Sequence, residues 1–375
     1  MTKVIAEPHE ATADELADWD AHTVEPEGGD VYQSRAWAEY RARHGWTPRF
    51  IVFPDDYRLL ALTRPWPVVG GAGAYISRGP LALGEPPETT AARLIVASRW
   101  LAAQGVDVVS SDAEIPTGVG YAERLAKAGF RSIEEIQPAR HRMAVDLAGL
   151  DEDALFARLH STTRRWIRDA QKAELRVIRY DRAVGADGDP GEGFERPPSD
   201  DRAAVEAVFG RLHEILVETA ARRSFGLGGR GPFLDWTRLG FEAGHIVLFE
   251  TLQPDGEPLG AAMFYRHGRR LTFSHGGDRA ATRGRVRGVA HLQQWRAMQL
   301  ALREGRTEMD LGGVDVPGIR RQPREGEAMH GLWRFKDALG ARWIEQVGNL
   351  EWVARPWRYA AGRVALRLFG SRSGS

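Results

Sequence analysis

The stretch Glu308–Gly348 opens with EMDLGGVDVPG, crosses a charged loop, and closes from His330 with HGLWRFKDALGARWIEQVG. Met309 to Leu311 reads as a buried strand that Gly312 and Gly313 break at once. A glycine pair after a strand lets the backbone turn sharply or lets another group come close. His330 to Leu339 has the spacing of a short amphipathic helix, with Leu332, Phe335 and Leu339 on one face. Gly340 ends it where a left-handed residue is wanted. Trp343, Ile344 and Val347 then read as a last strand. This order puts Lys336 beside Phe335 and near the glycine turn. A helix lysine is ordinarily solvated; this one can also carry an ammonium to an aromatic wall.

Working outward, the rest of the chain alternates helices with short apolar strands, an α/β (α+β) pattern. Helices are expected over Ala11–Asp20, Gln33–His44 (Ser34 as N-cap), Thr89–Ala103 and Tyr121–Ala128. Strands are expected over Arg49–Phe53, Leu59–Arg64, Ala74–Ser77, Val106–Ser111, Gly129–Glu135 and His141–Leu147. The second half repeats the plan. A basic helix, Thr162–Ala173, leads to a strand at Glu174–Tyr180. Asp181 to Asp200, rich in Gly, Pro and Asp, is expected to be a mobile loop. Helices at Asp201–Arg223 and Phe233–Ala243 precede strands at Ile246–Thr251, Leu259–Tyr265 and Leu271–His275, and a helix at Val289–Arg303.

Composition bounds the function. The 375 residues are 43% hydrophobic and 27% charged, as in an ordinary globular protein, and suggest two domains. No apolar run approaches the roughly 18 residues of a membrane helix. The acidic N-terminus does not read as a secretory signal, and a cytoplasmic protein is expected. The chain has no cysteine, which excludes disulfides, a thiol nucleophile and cysteine-ligated metals. No HExxH, EF-hand or P-loop lysine pattern occurs, so neither metal nor cofactor is expected. Lys plus Arg equals Asp plus Glu at 51 each, so any nucleic-acid contact must come from local patches. Arg164, Arg165 and Arg168 lie in one, and Arg279, Arg283, Arg285 and Arg287 in another; each is otherwise a solvated face. Arg285-Val-Arg-Gly288-Val-Ala290 fits an R/Q-x-x-G-x-G/A pyrophosphate turn, in which backbone N–H groups at a helix N-terminus point at an anion.

DLGGVD followed by HGLWRFKDALG resembles the C-terminal signature of the FemABX aminoacyltransferases. The resemblance continues through VYQSRAWAEYRARHGW (Val31–Trp46), TTRRWIRDAQKAELRV (Thr162–Val177) and LVETAARRSFG (Leu216–Gly226), so it covers about Tyr32 to Gly348. It implies two tandem acetyltransferase-like (GNAT) domains, 1–148 on the acceptor side and 149–348 on the donor side. A basic tail, 349–375, would pack back on the first domain or lie on the inner face of an anionic membrane. Between Arg223 and Phe233 there is no room for the coiled-coil arm that some members carry.

The activity implied is transfer of an amino acid, glycine being one candidate, from aminoacyl-tRNA to the stem-peptide amine of a peptidoglycan precursor, lipid II or UDP-MurNAc-pentapeptide. A monomer is expected. The alternatives are an acyl-CoA-dependent N-acyltransferase of the same fold and tRNA-dependent aminoacylation of a peptide natural product. By resemblance, Lys336 would stabilise the tetrahedral intermediate or the tRNA terminus, with Phe335 as its wall. Asp112 would lie near the acceptor amine, although a strand-end carboxylate also serves as a turn cap. His275 stands where relatives carry a tyrosine, as a hydrogen-bond donor, a base, or a core histidine. Arg41, where relatives have lysine, and Arg230, with Arg222 and Arg223 as rivals, would clamp the diphosphate. Phe233 and Trp37 would line the groove, and Arg285 with Gly288 would meet the tRNA end.

Overall fold

The computed structural model describes residues 5–137, 140–223, 227–281, 286–314 and 321–369. Its elements begin with β1 (His9–Glu10), α1 (Ala13–Ala17), α2 (Trp19–Thr23), α3 (Arg35–Arg43), β2 (Thr47–Val52), β3 (Arg58–Pro65), β4 (Ala72–Ile76), α4 (Pro87–Ala103) and β5 (Val106–Ser111). There follow α5 (Tyr121–Lys127), β6 (Arg131–Ser132), β7 (His141–Asp146), α6 (Glu152–Arg158), α7 (Ser161–Lys172), β8 (Arg176–Asp181), α8 (Arg202–Arg223), α9 (Arg230–Glu242) and β9 (Ile246–Leu252). The chain ends with β10 (Pro258–His267), β11 (Arg270–Asp278), α10 (Val289–Arg303), β12 (Glu308–Asp310), α11 (His330–Asp337), β13 (Arg342–Glu345), β14 (Leu350–Val353) and α12 (Pro356–Phe369).

Two compact units result, Met1–Arg142 with Ile344–Ser375, and Met143–Trp343. Each holds a mixed sheet built to one plan. In the first, β1 to β4 run as an antiparallel meander, α4 crosses over, and β5 returns parallel to β4. In the second, β8 to β11 form the meander, α10 crosses over, and β12 returns parallel to β11. Each parallel strand then gains an antiparallel neighbour from a distant part of the chain, β14 beside β5 and β7 beside β12. The shared plan read from the sequence is therefore present, and no coiled-coil arm interrupts the second unit among the described residues.

Periodicity explains the crossover helices. In α4 the buried residues Ala91, Leu94, Ala97 and Leu101 recur at helical spacing and cover the first core with Leu59, Ile76 and Val109. In α10, Leu292, Trp295 and Met298 do the same over Phe249, Phe264 and Met309. Gly288 caps α10 with φ 83, and a β-carbon there would stand 2.2 Å from the carbonyl oxygen of Trp166 in α7. The glycine is thus required by both conformation and space.

The structure departs from the sequence reading in several places. Strand β7 belongs to the second sheet, because Ala144–Asp146 pair with Asp310–Glu308, so the expected boundary at 148 falls after it. The tail, expected to pack back on the first domain, also supplies it with a strand. Leu350–Val353, too short and too mixed to show periodicity, forms a strand between β5 and β6. The expected helix over 11–20 is two short ones, divided at Asp18, and Ser34 caps α3 as expected, accepting from Trp37 N. The segment 181–200, although irregular, is pinned. Phe194 packs on Phe249 at 4.8 Å, Glu195 N donates to Val177 O at 2.8 Å, and Arg176 pairs with Glu195. No helix among the described residues is long and apolar enough to cross a membrane.

A buried ionic network ties the second meander to α10. Arg266 donates to both oxygens of Asp181, at 3.1 and 2.6 Å, and to Glu304 at 3.0 Å; Arg179 also pairs with Asp181. Burial alone would raise the Asp181 carboxyl, but Arg266 and Arg179 outweigh it and hold it down at about 2. Its folded value is depressed, so the unfolded chain binds more protons in this window. The stabilisation is complete above the ordinary value of 3.8 and is lost as pH falls through about 2. Asp181→Asn should lower the unfolding free energy at pH 7 by about 2 kcal/mol or more and flatten its slope between those two pH values, as urea titrations across pH will show. Gly288→Ala should cost a few kcal/mol, at least ~2, in the same assay, because the strained φ and the clash with Trp166 O act together.

Candidate functional site

The second unit builds its site on the glycine turn after β12. Asp310 accepts from Gly312 N at 2.7 Å and fastens the turn, in which Gly312 has φ 70. The turn's carbonyls then point at α11. Lys336, only 4% exposed, donates from Nζ to Gly312 O at 3.0 Å and to Gly313 O at 2.5 Å. Leu339 is buried, and Leu332 and Phe335 pack partly buried against the same core, as the helical spacing predicted. The lysine is therefore no solvated helix residue. Its charge is held in place, in surroundings that screen it weakly.

Phe335 begins an aromatic run. Its ring meets His291 edge-on at 5.0 Å, His291 stacks on Trp166 at 5.8 Å, and the Arg287 guanidinium lies 5.5 Å from the Trp166 ring. Sequence reasoning missed Trp166 and His291. A tryptophan one place before the buried Ile167 on a basic helix was the available signal. Burial pulls His291 down to about 4, so it is a neutral ring at neutral pH. The basic patch divides by role. Arg164 caps α6 through the carbonyls of Ala157 and Leu159, Arg168 lies over Phe156, and Arg165 is exposed. Gly288 opens α10 beside Trp166, where it is explained by close packing; Arg285 and Arg283 lie outside the described residues.

On β11, His275 meets Phe233 edge-on at 5.8 Å, and Phe233 meets His213 at 5.3 Å. His275 Nδ1 shares a 2.7 Å hydrogen bond with Ser274 Oγ. Burial pulls His275 down to about 4. An imidazole at that value can accept or donate a hydrogen bond at neutral pH but is a weak base there, which favours the hydrogen-bonding and core readings over that of a base. Arg230 starts α9 exposed, with its guanidinium lying over Gly210 of α8. The side chains of Arg222 and Arg223 fall outside the described residues.

The first unit places Asp112 at the end of β5, fully buried. Tyr75 Oη donates to its Oδ2 at 2.7 Å, Gln137 Nε2 to the same oxygen at 2.9 Å, and Arg78 N to Oδ1 at 2.6 Å. Arg78 Nη1 stands 3.5 Å from Oδ2. A carboxylate so fully engaged anchors its surroundings, and the turn-cap reading describes it better than that of a free base. Burial would lower the Arg78 guanidinium, but Asp112 and Glu114 hold it above its ordinary value.

Arg41 is placed differently. Its guanidinium lies 5.4 Å from the Trp37 ring and 4.8 Å from the Trp46 ring, without a carboxylate partner among the described residues. Arg64 approaches Trp46 at 5.8 Å, so two cations share one indole. Burial, and to a smaller extent Arg64, lower Arg41. Such a pair suits an anion, and an arginine can grip phosphate through two parallel donors. Arg64 was not singled out from the sequence, where it reads only as a strand end. Trp37 is buried against Tyr32 and Tyr40, which makes it the wall of this cation site.

No protein-family model and no curated protein sequence matches the chain. Solved structures do. FemX superposes with a TM-score of 0.74 at 19% identity, over 95% of this chain and 99% of that one. A conserved protein of unknown function from Bacteroides thetaiotaomicron VPI-5482 gives 0.55 at 11% identity, over 92% and 98%. L-PGS from Bacillus licheniformis gives 0.52 at 12% identity, over 99% and 100%. The likeness runs the whole length of the chain, and the fold of this protein is that of FemX.

Proposed function

We propose that this protein is an aminoacyltransferase that moves an amino acid from the ester at the end of tRNA to the side-chain amine of a peptidoglycan stem peptide. The observation that carries this reading is the buried ammonium of Lys336, fixed by the Gly312 and Gly313 carbonyls beside the run Phe335–His291–Trp166. The amine nitrogen attacks the ester carbonyl, the C–N bond forms, and the C–O bond to the tRNA ribose breaks. The proton lost by the amine is matched by the one the departing ribose oxygen takes up. An ester is already activated, so no acyl-enzyme is needed, and a chain without cysteine loses nothing. What the step does need is a donor for the negative charge that develops on the carbonyl oxygen. Lys336 supplies one, and the aromatic run offers ring faces on which a terminal base can stack.

The acceptor in this reading carries a diphosphate, and Arg41 with Arg64 across Trp46 is the cation pair that would hold it. Lipid II and UDP-MurNAc-pentapeptide both present that group. Arg41 keeps the positive charge where relatives have lysine, with the added reach of a two-donor grip.

Purified protein incubated with an unlabelled muramyl pentapeptide precursor should transfer label to it from labelled glycyl-tRNA or another labelled aminoacyl-tRNA, and not from labelled acetyl-CoA. Transfer from acetyl-CoA alone would replace this reading with that of a coenzyme A-dependent acyltransferase. The double variant Arg41→Gln/Arg64→Gln should raise KM for the diphosphate-bearing acceptor by about tenfold or more while changing kcat little, since the pair binds ground and transition states alike. With His275 protonating only near pH 4, His275→Gln should leave the shape of the kcat/KM profile between pH 6 and 8 unchanged. Loss of an ionisation in that range would instead assign the base to His275.

A further inference from the structure

Helix α12 meets the first unit along one edge. Gly362 and Ala365 are buried, a β-carbon on Gly362 would stand 2.5 Å from the Trp66 ring, and Tyr359 Oη donates to Glu351 at 2.7 Å. Its orientation is fixed by Asp107, fully buried in β5, which faces Arg355 at 3.4 Å and Arg358 at 3.5 Å and accepts from Trp66 Nε1 at 2.9 Å. The remaining faces are open. Trp357, Val364 and Leu368, at positions i, i+7 and i+11, form one stripe and are 69%, 54% and 67% exposed. Of the eight large hydrophobic residues that stand exposed among the described residues, four lie on this helix. Arg363 and Arg367 flank the stripe without a carboxylate partner among the described residues, and the helix contains no acidic residue.

A separate observation falls next to it. Val68, 82% exposed, has φ 58 in the turn between β3 and β4. A β-branched residue in the left-handed region is strained, and such strain collects at binding surfaces. The same turn carries Trp66, whose ring lies 6.1 Å from Tyr359, and Gly71, which lies against Arg358, so both its ends are seated on α12.

We propose that α12 and the Val68 turn form an interfacial surface that docks this protein on a bilayer containing anionic phospholipid. The helix is 14 residues long, far short of a span, and lies in the headgroup plane. Trp357 is the residue type that settles at the headgroup level, Val364 and Leu368 enter the acyl boundary, and Arg363 and Arg367 meet lipid phosphates. A second copy of this chain fits less well. Two-fold pairing of the stripe would bring the arginines of both copies together with no carboxylate between them. This inference does not depend on the reaction assigned to the protein.

The test is co-sedimentation of the full chain with vesicles of phosphatidylcholine alone and with an equal part of phosphatidylglycerol, at low and high salt. The protein should bind the anionic vesicles, lose that binding at high salt, and ignore the neutral ones. Arg363→Glu/Arg367→Glu should weaken binding by about tenfold or more, and so, independently, should Val68→Ser/Trp357→Ser/Leu368→Ser. All these side chains are exposed, so thermal melting should be unchanged. Absence of binding to anionic vesicles, or binding by either variant as tight as that of the unchanged protein, would overturn the proposal. So would light scattering that shows a dimer broken by Leu368→Ser in a protein that ignores vesicles.

Discussion

The ammonium of Lys336 between the carbonyls of Gly312 and Gly313 is the contact on which the second unit's site rests. An ammonium taken out of water is costly unless its donors are met. Two adjacent carbonyls can turn toward it only because Gly312 adopts φ 70, where a side chain would be strained, and because Asp310 holds the Gly312 N–H. The same Gly312 carbonyl accepts from Met143 N, the first residue of the unit. Strand β12, the turn, strand β7 and helix α11 therefore converge on one charge. In the proposed reaction an ammonium fixed in this way is preorganised for the negative charge that develops.

Both units obtain their sites from the same architectural rule. A meander ends in a strand, a helix crosses over, and the returning parallel strand delivers its last residues to the edge where chain geometry is irregular. In the second unit that edge is the glycine turn of β12; in the first it is Asp112 at the end of β5. The chemistry differs. Asp112 is engaged by Tyr75, Gln137 and Arg78, which fasten its turn. The first unit also holds Arg41 and Arg64, cations that share Trp46.

Much of this was legible in the sequence where a local rule governs. Helical spacing gave α4, α10 and the buried side of α11, Ser34 announced the start of α3, and glycines marked the turns. Lys336 could be placed near the glycine turn because both belong to one motif, whereas its carbonyl partners, 23 and 24 residues upstream, emerge only in the structure. What stayed hidden depends on contacts between residues far apart in sequence. Trp166 and His291 lie on two helices more than a hundred residues apart, and their stacking follows from Gly288 allowing those helices to touch. Strand β14 is four residues long, and its place between β5 and β6 is set by partners over two hundred residues upstream. The fate of Asp112 depended on Gln137 and Tyr75, which no spacing rule links to it. The 181–200 segment looked mobile by composition, yet Phe194 and Glu195 fasten it to β8 and β9.

The most direct measurement is single-turnover transfer from aminoacyl-tRNA by Lys336→Met, set against the unchanged protein at a temperature where circular dichroism shows both folded. Methionine keeps the length and removes the charge. If the ammonium stabilises the developing oxyanion, the rate falls by about two to three orders of magnitude with little change in acceptor affinity. A rate within a few-fold of the original would contradict the account and leave Lys336 as a structural tie between helix and turn.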